Sequence, residues 1–124
     1  MSHFTTIAIE IKNGDLLKKT LESFGYPVQE QALVRGYLGN TTHAEYVIPM
    51  PNGYDLGFRK EGDRYELIAD MWGVAMDIPE FVATVTQKYA AEMVLETANQ
   101  QGFAIETQEV LADGTVRIVI GRWS

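Results

Sequence analysis

Apolar and polar residues alternate at the start of the chain. Ile7, Ile9 and Ile11 are separated by Ala8, Glu10 and Lys12, the period-two pattern of a half-buried strand, which predicts a strand over Phe4 to Lys12. Asn13-Gly14-Asp15 interrupts it, and either Asn13 or Asp15 suits a helix N-cap. Leu16, Leu17, Thr20, Leu21 and Phe24 follow at helical spacing, and Gly25 and Pro27 end that helix. Val28 to Tyr37 reads as a weaker extended segment, because Gln29, Glu30 and Gln31 are consecutive polar residues. Gly36 to Thr42 reads as a loop, and Ala44 to Pro49 as a short strand ended by Pro49 and Pro51.

The clearest hairpin pairs Tyr54–Arg59 with Arg64–Met71 through Lys60-Glu61-Gly62-Asp63. With Glu61-Gly62 as a two-residue loop, Phe58 faces Tyr65, Leu56 faces Leu67 and Tyr54 faces Ala69, giving one apolar row on each strand. Asp77-Ile78-Pro79-Glu80 has the spacing of a capping box with proline in the first turn. Ile78, Phe81, Val82, Val85, Tyr89 and Met93 then mark an apolar stripe, so a helix is expected to about Gln101, stopped by Gly102. Phe103–Val110 and Thr115–Arg122 form a last hairpin turned by Asp113-Gly114, with Val116, Ile118 and Ile120 facing inward.

The predicted order is β-α-β-β-β-β-α-β-β within a single α+β domain spanning residues 1–124. Its economical architecture is an antiparallel β-sheet of about six to seven strands with two helices on one face. Both helices end in Gly-aromatic, at Gly25-Tyr26 and Gly102-Phe103, and a β-α-β-β pseudo-repeat would account for this.

Composition narrows the function classes. The chain has 124 residues, 46% of them hydrophobic and 22% charged, which suits one ordinary domain core. Its net charge of -7 is the reverse of the basic surplus that releases phosphate counterions, so nucleic acid is not an expected partner. With no cysteine, thiolate metal sites, disulfides and cysteine nucleophiles are excluded. The opening residues lack a signal-peptide pattern, and no run is apolar for long enough to predict a transmembrane segment.

Family resemblance begins in the central hairpin. Asn52-Gly53-Tyr54-Asp55-Leu56-Gly57-Phe58, Tyr65-Glu66-Leu67-Ile68-Ala69-Asp70 and Trp72-Gly73 resemble the hypothetical chloroplast reading frame thirty-five family of cyanobacteria and algal plastids. Met1-Ser2-His3-Phe4, Val34-Arg35-Gly36-Tyr37, Gln87-Lys88-Tyr89-Ala90 and Arg122-Trp123 extend the resemblance along the chain. It implies a factor of the cyanobacterial cytoplasm or the plastid stroma. It supplies no activity, cofactor or catalytic residue.

The polar face of the hairpin is the candidate ligand- or partner-binding surface. With the apolar rows inward, Asp55, Arg59, Arg64, Glu66 and Asp70 project to the opposite side. Arg59 is expected opposite Arg64, Glu66 diagonal to Arg59, and Gly57 opposite Glu66 with room beside it. Two arginine forks among carboxylates suit a carboxylate or phosphate, or the charged loop of a protein. An antiparallel sheet's solvated side carries the same alternation of charge with no function at all. Trp72-Gly73-Val74-Ala75-Met76 is an apolar loop of the kind that anchors an interface, or one that folds down over the sheet end.

His3 and His43 lack metal-ligand spacing, no serine stands in a nucleophile elbow, and no glycine loop cradles phosphate. No catalytic residue, metal or cofactor is therefore expected. The reading that follows, with the setting the resemblance implies, is a non-catalytic protein-binding or assembly/regulatory factor of a photosynthetic organism or its phage. The alternative is a small-anion sensor or enzyme using Arg59, Arg64 and Glu66. Self-association through free strand edges is a further possibility for the partner surface.

Overall fold

A computed structural model describes residues 4–100, 103–110 and 116–122, the last two segments in backbone only. The elements run β1 (Phe4–Ala8), α1 (Gly14–Ser23), β2 (Gln29–Arg35), a tight turn at Tyr37–Gly39, β3 (Thr41–Ile48), β4 (Leu56–Glu61), β5 (Arg64–Asp70), α2 (Ile78–Gln100), β6 (Phe103–Val110) and β7 (Val116–Arg122). The protein is α+β, with the expected succession of strands and helices. The strands do not share one sheet of six to seven, however. Five form an antiparallel sheet in the order β1-β5-β4-β3-β2, and among the described residues β6 and β7 form a separate two-stranded sheet. The chain divides into two compact units, residues 1–77 and 78–124.

In the first unit, Asn13 is the N-cap of α1, its side-chain oxygen accepting from the Leu16 amide at 3.1 Å. Gly25, at φ +88°, follows the helix end as a residue that tolerates the left-handed region. Leu16, Leu17, Thr20 and Leu21 are buried on one helical stripe. A Cβ on Gly14 would lie 2.2 Å from the Tyr65 hydroxyl and 3.0 Å from that of Tyr46. That close approach sets the start of α1 over the sheet face carrying those rings. Tyr46, Phe58 and Leu67 form a cross-strand row on this face, and Ile48, Leu56 and Ala69 form the next. β1 is shorter than its alternation suggests. Ile9 and Ile11 lie beyond it and are still buried, joined to Tyr65 through backbone hydrogen bonds at 3.2 and 2.9 Å.

The β4–β5 register differs from the expected one by two residues. Phe58 pairs with Leu67, Leu56 with Ala69, and Glu61 with Arg64, so the turn is Gly62-Asp63 rather than Glu61-Gly62. Gly62 has φ +65°, and glycine is the residue suited to the first central position of a II′ turn. A slip of two preserves the pleat, so every side chain keeps its predicted face while its cross-strand partner changes.

Near that turn the opposite face is polar, with Arg59, Arg64 and Glu66. Farther along it, Val34, Ala44, Val47 and Ile68 form a second apolar cluster, with Phe4 and Ala32 packed against it. A Cβ on Gly57 would lie 2.4 Å from Val34 Cγ2 and 2.9 Å from Ile68 Cγ2. The room expected beside Gly57 is therefore filled by Val34 of β2, and Gly57 pairs with Ile68 rather than Glu66.

In the second unit α2 lies against β6 and β7. Ile78, Phe81, Val85 and Tyr89 of the expected stripe are buried, whereas Met93 is exposed. β6 and β7 are antiparallel, with an irregularity between Ile105 and Thr107. The helix stop at Gly102, the Asp113-Gly114 turn, His3 and Trp123 lie outside the described residues.

Candidate functional site

Three segments distant in sequence meet at the end of the sheet away from the Gly62 turn: the end of β2, the loop entering β4, and the end of β5. Two buried carboxylates tie them together. Asp55, 1% exposed, accepts four hydrogen bonds. Its Oδ2 receives the Arg35 amide at 2.9 Å and Arg35 Nε at 2.8 Å. Its Oδ1 receives Arg35 Nη2 and the Met50 amide, each at 2.8 Å. Burial pushes the Asp55 carboxyl up, but the bonds from Arg35 and from the Met50 and Arg35 amides outweigh it and hold the group below the usual carboxylate range. The same pairing raises the pKa of Arg35.

Asp70, fully buried, accepts from the Tyr37 amide at 2.8 Å and the Trp72 amide at 3.0 Å. One carboxylate thus holds the Tyr37 turn and the Trp72 loop side by side. The Tyr37 and Trp72 rings meet at 6.0 Å between centroids and 60°, within the range of tilted aromatic pairs. Close approach here requires glycine: a Cβ on Gly36 would stand 2.8 Å from Asp70 Oδ2 and 2.9 Å from the Phe4 ring.

Two large apolar side chains stand exposed on the segments that Asp70 joins. Trp72 is 68% exposed and Leu38, next to Tyr37, is 81% exposed. Leu38 has φ 53° and ψ 38°, the left-handed region that costs a residue with a Cβ roughly 1–2 kcal/mol. Its exposed side chain accounts for none of that cost through packing.

The residues predicted as a single polar surface are divided. Asp55 and Asp70 do not project into solvent; both are buried, with their oxygens used internally. Arg59 is not opposite Arg64. It pairs directly with Glu66, donating from Nη2 at 2.9 Å and Nε at 3.1 Å. Arg64 lies opposite Glu61 and donates to Glu10 at 2.8 Å. Each arginine therefore has its own carboxylate, and the two do not converge as one anion fork. Trp72 occupies the exposed position expected of an anchor. The sequence offers Arg35 and Tyr37 as part of an extended segment and of the resemblance, and Leu38 as part of a loop, none of them as a site residue. Gly36 was the available signal, a glycine between an arginine and an aromatic at a strand end.

Among the described residues, no group of three His, Cys, Asp or Glu side chains is placed to hold a metal ion, and no helix is long and apolar enough to cross a membrane.

Fold and site together define an α+β protein whose first unit, an antiparallel sheet, carries an apolar corner pinned by the buried Asp70. Residues 20–119 match the family described as "Protein of unknown function (DUF1257)", and the chain belongs to that family. Similar proteins include the "Uncharacterized protein ycf35" of Guillardia theta, 35% identical over 99% of this chain and 98% of the relative. Those of Cyanophora paradoxa, at 31%, and Pyropia yezoensis, at 30%, match over 99% and 100% of this chain and 98% and 99% of their own. This is the family that the central hairpin resembles. No solved structure matches the chain.

Proposed function

We propose that the protein is a non-catalytic binding or assembly module of photosynthetic cells, acting in the cytoplasm of a cyanobacterium or the stroma of a plastid. Its partner is a protein that docks apolar side chains on the Tyr37–Leu38–Trp72 corner. The setting rests on the algal relatives. The docking surface rests on one observation: Trp72 and Leu38, both highly exposed, stand on backbone pinned through Asp70, with Leu38 in a conformation unfavourable for leucine. A preorganised aromatic anchor beside an aliphatic one contributes to affinity with little ordering cost. In this reading Asp55 and Asp70 position the corner from below. Arg59, Glu66 and Arg64 form a charged strip near the Gly62 turn.

A photo-crosslinking amino acid at position 72, expressed in a cyanobacterial host, tests the reading against the same residue at position 64. A discrete protein adduct from position 72 that disappears with Leu38→Asp is the expected result. Adducts of equal pattern from both positions would remove the corner as the docking surface.

A further inference from the structure

Beside the corner, two loops of the first unit border a half-open cavity of about 260 Å³. Met50, Pro51, Asn52 and Tyr54 form one side, Val74, Ala75 and Met76 the other, and Leu56 closes the end. The loops are joined rather than merely adjacent. Asn52 Nδ2 donates to the Gly73 carbonyl at 2.9 Å, and Asn52 Oδ1 accepts from the Tyr54 amide at 3.0 Å. A Cβ on Gly73 would lie 2.3–2.4 Å from three atoms of the Tyr54 ring, so the ring rests flat against the backbone there. The Asn52 amide group thus ties the two walls together through Nδ2 and fixes the turn of its own wall through Oδ1. What faces the interior is thioether, aliphatic and aromatic surface, with no charged side chain among the lining residues.

We propose that this cavity is a binding site for a small uncharged ring compound, aromatic or alicyclic, of one to two rings. Size supports the class: an engineered apolar cavity of about 150 Å³ admits benzene, so this larger one suits a fused bicycle. Wall chemistry supports it as well. A charged ligand would lose its water without gaining a partner, whereas the two methionines adapt their shape to a flat ring and make favourable sulfur–aromatic contacts. The site is independent of the partner surface, since none of its lining residues is Tyr37, Leu38 or Trp72.

Indole and naphthalene are the probes, and the full chain labelled at its methionine methyls is the target. Met50 and Met76 report from the walls, and Met93 on α2 is the control. Saturable ring-current shifts confined to Met50 and Met76 are expected, with a Kd on the order of 0.1 mM for about ten heavy atoms. Indole-3-acetate, the same ring with a carboxylate, binds at least tenfold more weakly. Ala75 is exposed at the rim, so Ala75→Trp fills the mouth without entering the core, and it abolishes the shifts while leaving the far-ultraviolet dichroism unchanged. The proposal is overturned by unmoved Met50 and Met76 methyls at millimolar probe. Equal movement of Met93, undiminished binding in the Ala75→Trp protein, or charged and uncharged rings binding alike would each overturn it too.

Discussion

Asp55 is held by both the side chain and the backbone of Arg35, and it returns the contact through its own amide, which donates to the Arg35 carbonyl at 3.1 Å. The pair is unequal. Asp55 is buried, whereas the Arg35 side chain is half exposed. Removing the carboxylate orphans the Arg35 and Met50 amides, while the half-exposed guanidinium keeps its bond to the Met50 carbonyl; removing the arginine leaves a carboxylate that keeps two backbone donors and gains access to water. Asp55→Ala is therefore expected to cost about 3 kcal/mol and Arg35→Ala about 1–2 kcal/mol. Urea unfolding of the two variants measures the ordering, and a larger loss for Arg35→Ala would contradict it.

The same pair gives the acid limb of stability. The folded pKa of Asp55 lies below its unfolded value, so its contribution is complete above about pH 4 and is lost as pH falls through the folded pKa. Urea midpoints measured from pH 6 to pH 3 should fall in the wild type. The fall should be shallower in Asp55→Asn, which starts less stable but has no proton to take up at that position. Parallel curves would show that other carboxylates set the acid limb.

On the alkaline side, Tyr65 is the group to watch. Burial first, then the adjoining Tyr46 and Glu45, push its hydroxyl up to about 12. Unfolding releases it to ionise near 10, so its contribution is intact below pH 10 and is lost as pH rises toward 12. Between pH 9 and pH 11.5 the wild type should lose stability on the order of 2 kcal/mol from this group. Tyr65→Phe should flatten that limb in part, since Tyr46 is raised as well. The Tyr65 absorbance near 295 nm should titrate late in the folded protein.

Gly57 tests the buried half of the hairpin's second face. An added methyl would meet Val34, Ile68 and Ala44 at 2.4, 2.9 and 3.2 Å, all within the packed cluster. Gly57→Ala is expected to destabilise by roughly 2–3 kcal/mol. Gly57→Ala combined with Val34→Ala should recover part of that loss, because the second substitution vacates the space the first one needs. Additive losses would mean that the two sites do not share this space.

Much of the fold was legible because its signals are local. Asn13, Gly25 and the Ile7–Ile11 alternation act within a few residues of themselves, and helix and strand followed. The hairpin register turned on whether Gly62 is the first or second central residue, which the composition of Lys60-Glu61-Gly62-Asp63 leaves undecided. Asp55 and Asp70 have the right parity for a solvated face and were read that way. Their oxygens are taken up by backbone amides at residues 35, 37, 50 and 72, long-range partners that no periodicity reports. The polar surface was therefore overestimated in area, and the corner beside Trp72 was seen through only one of its residues.

Leu38 separates stability from function. Asparagine tolerates the left-handed region better than leucine does, and at 81% exposure the leucine side chain contributes little packing. On folding grounds alone, Leu38→Asn should be neutral or stabilising, by up to about 1 kcal/mol. On the docking reading it removes an apolar anchor and should weaken the position-72 crosslink severalfold. The two effects have opposite signs, so unfolding and crosslinking measured on the same variant distinguish a strained residue kept for contact from one with no such role. A variant that is more stable and crosslinks undiminished would detach Leu38 from the partner surface and leave Trp72 and Tyr37 as its only anchors.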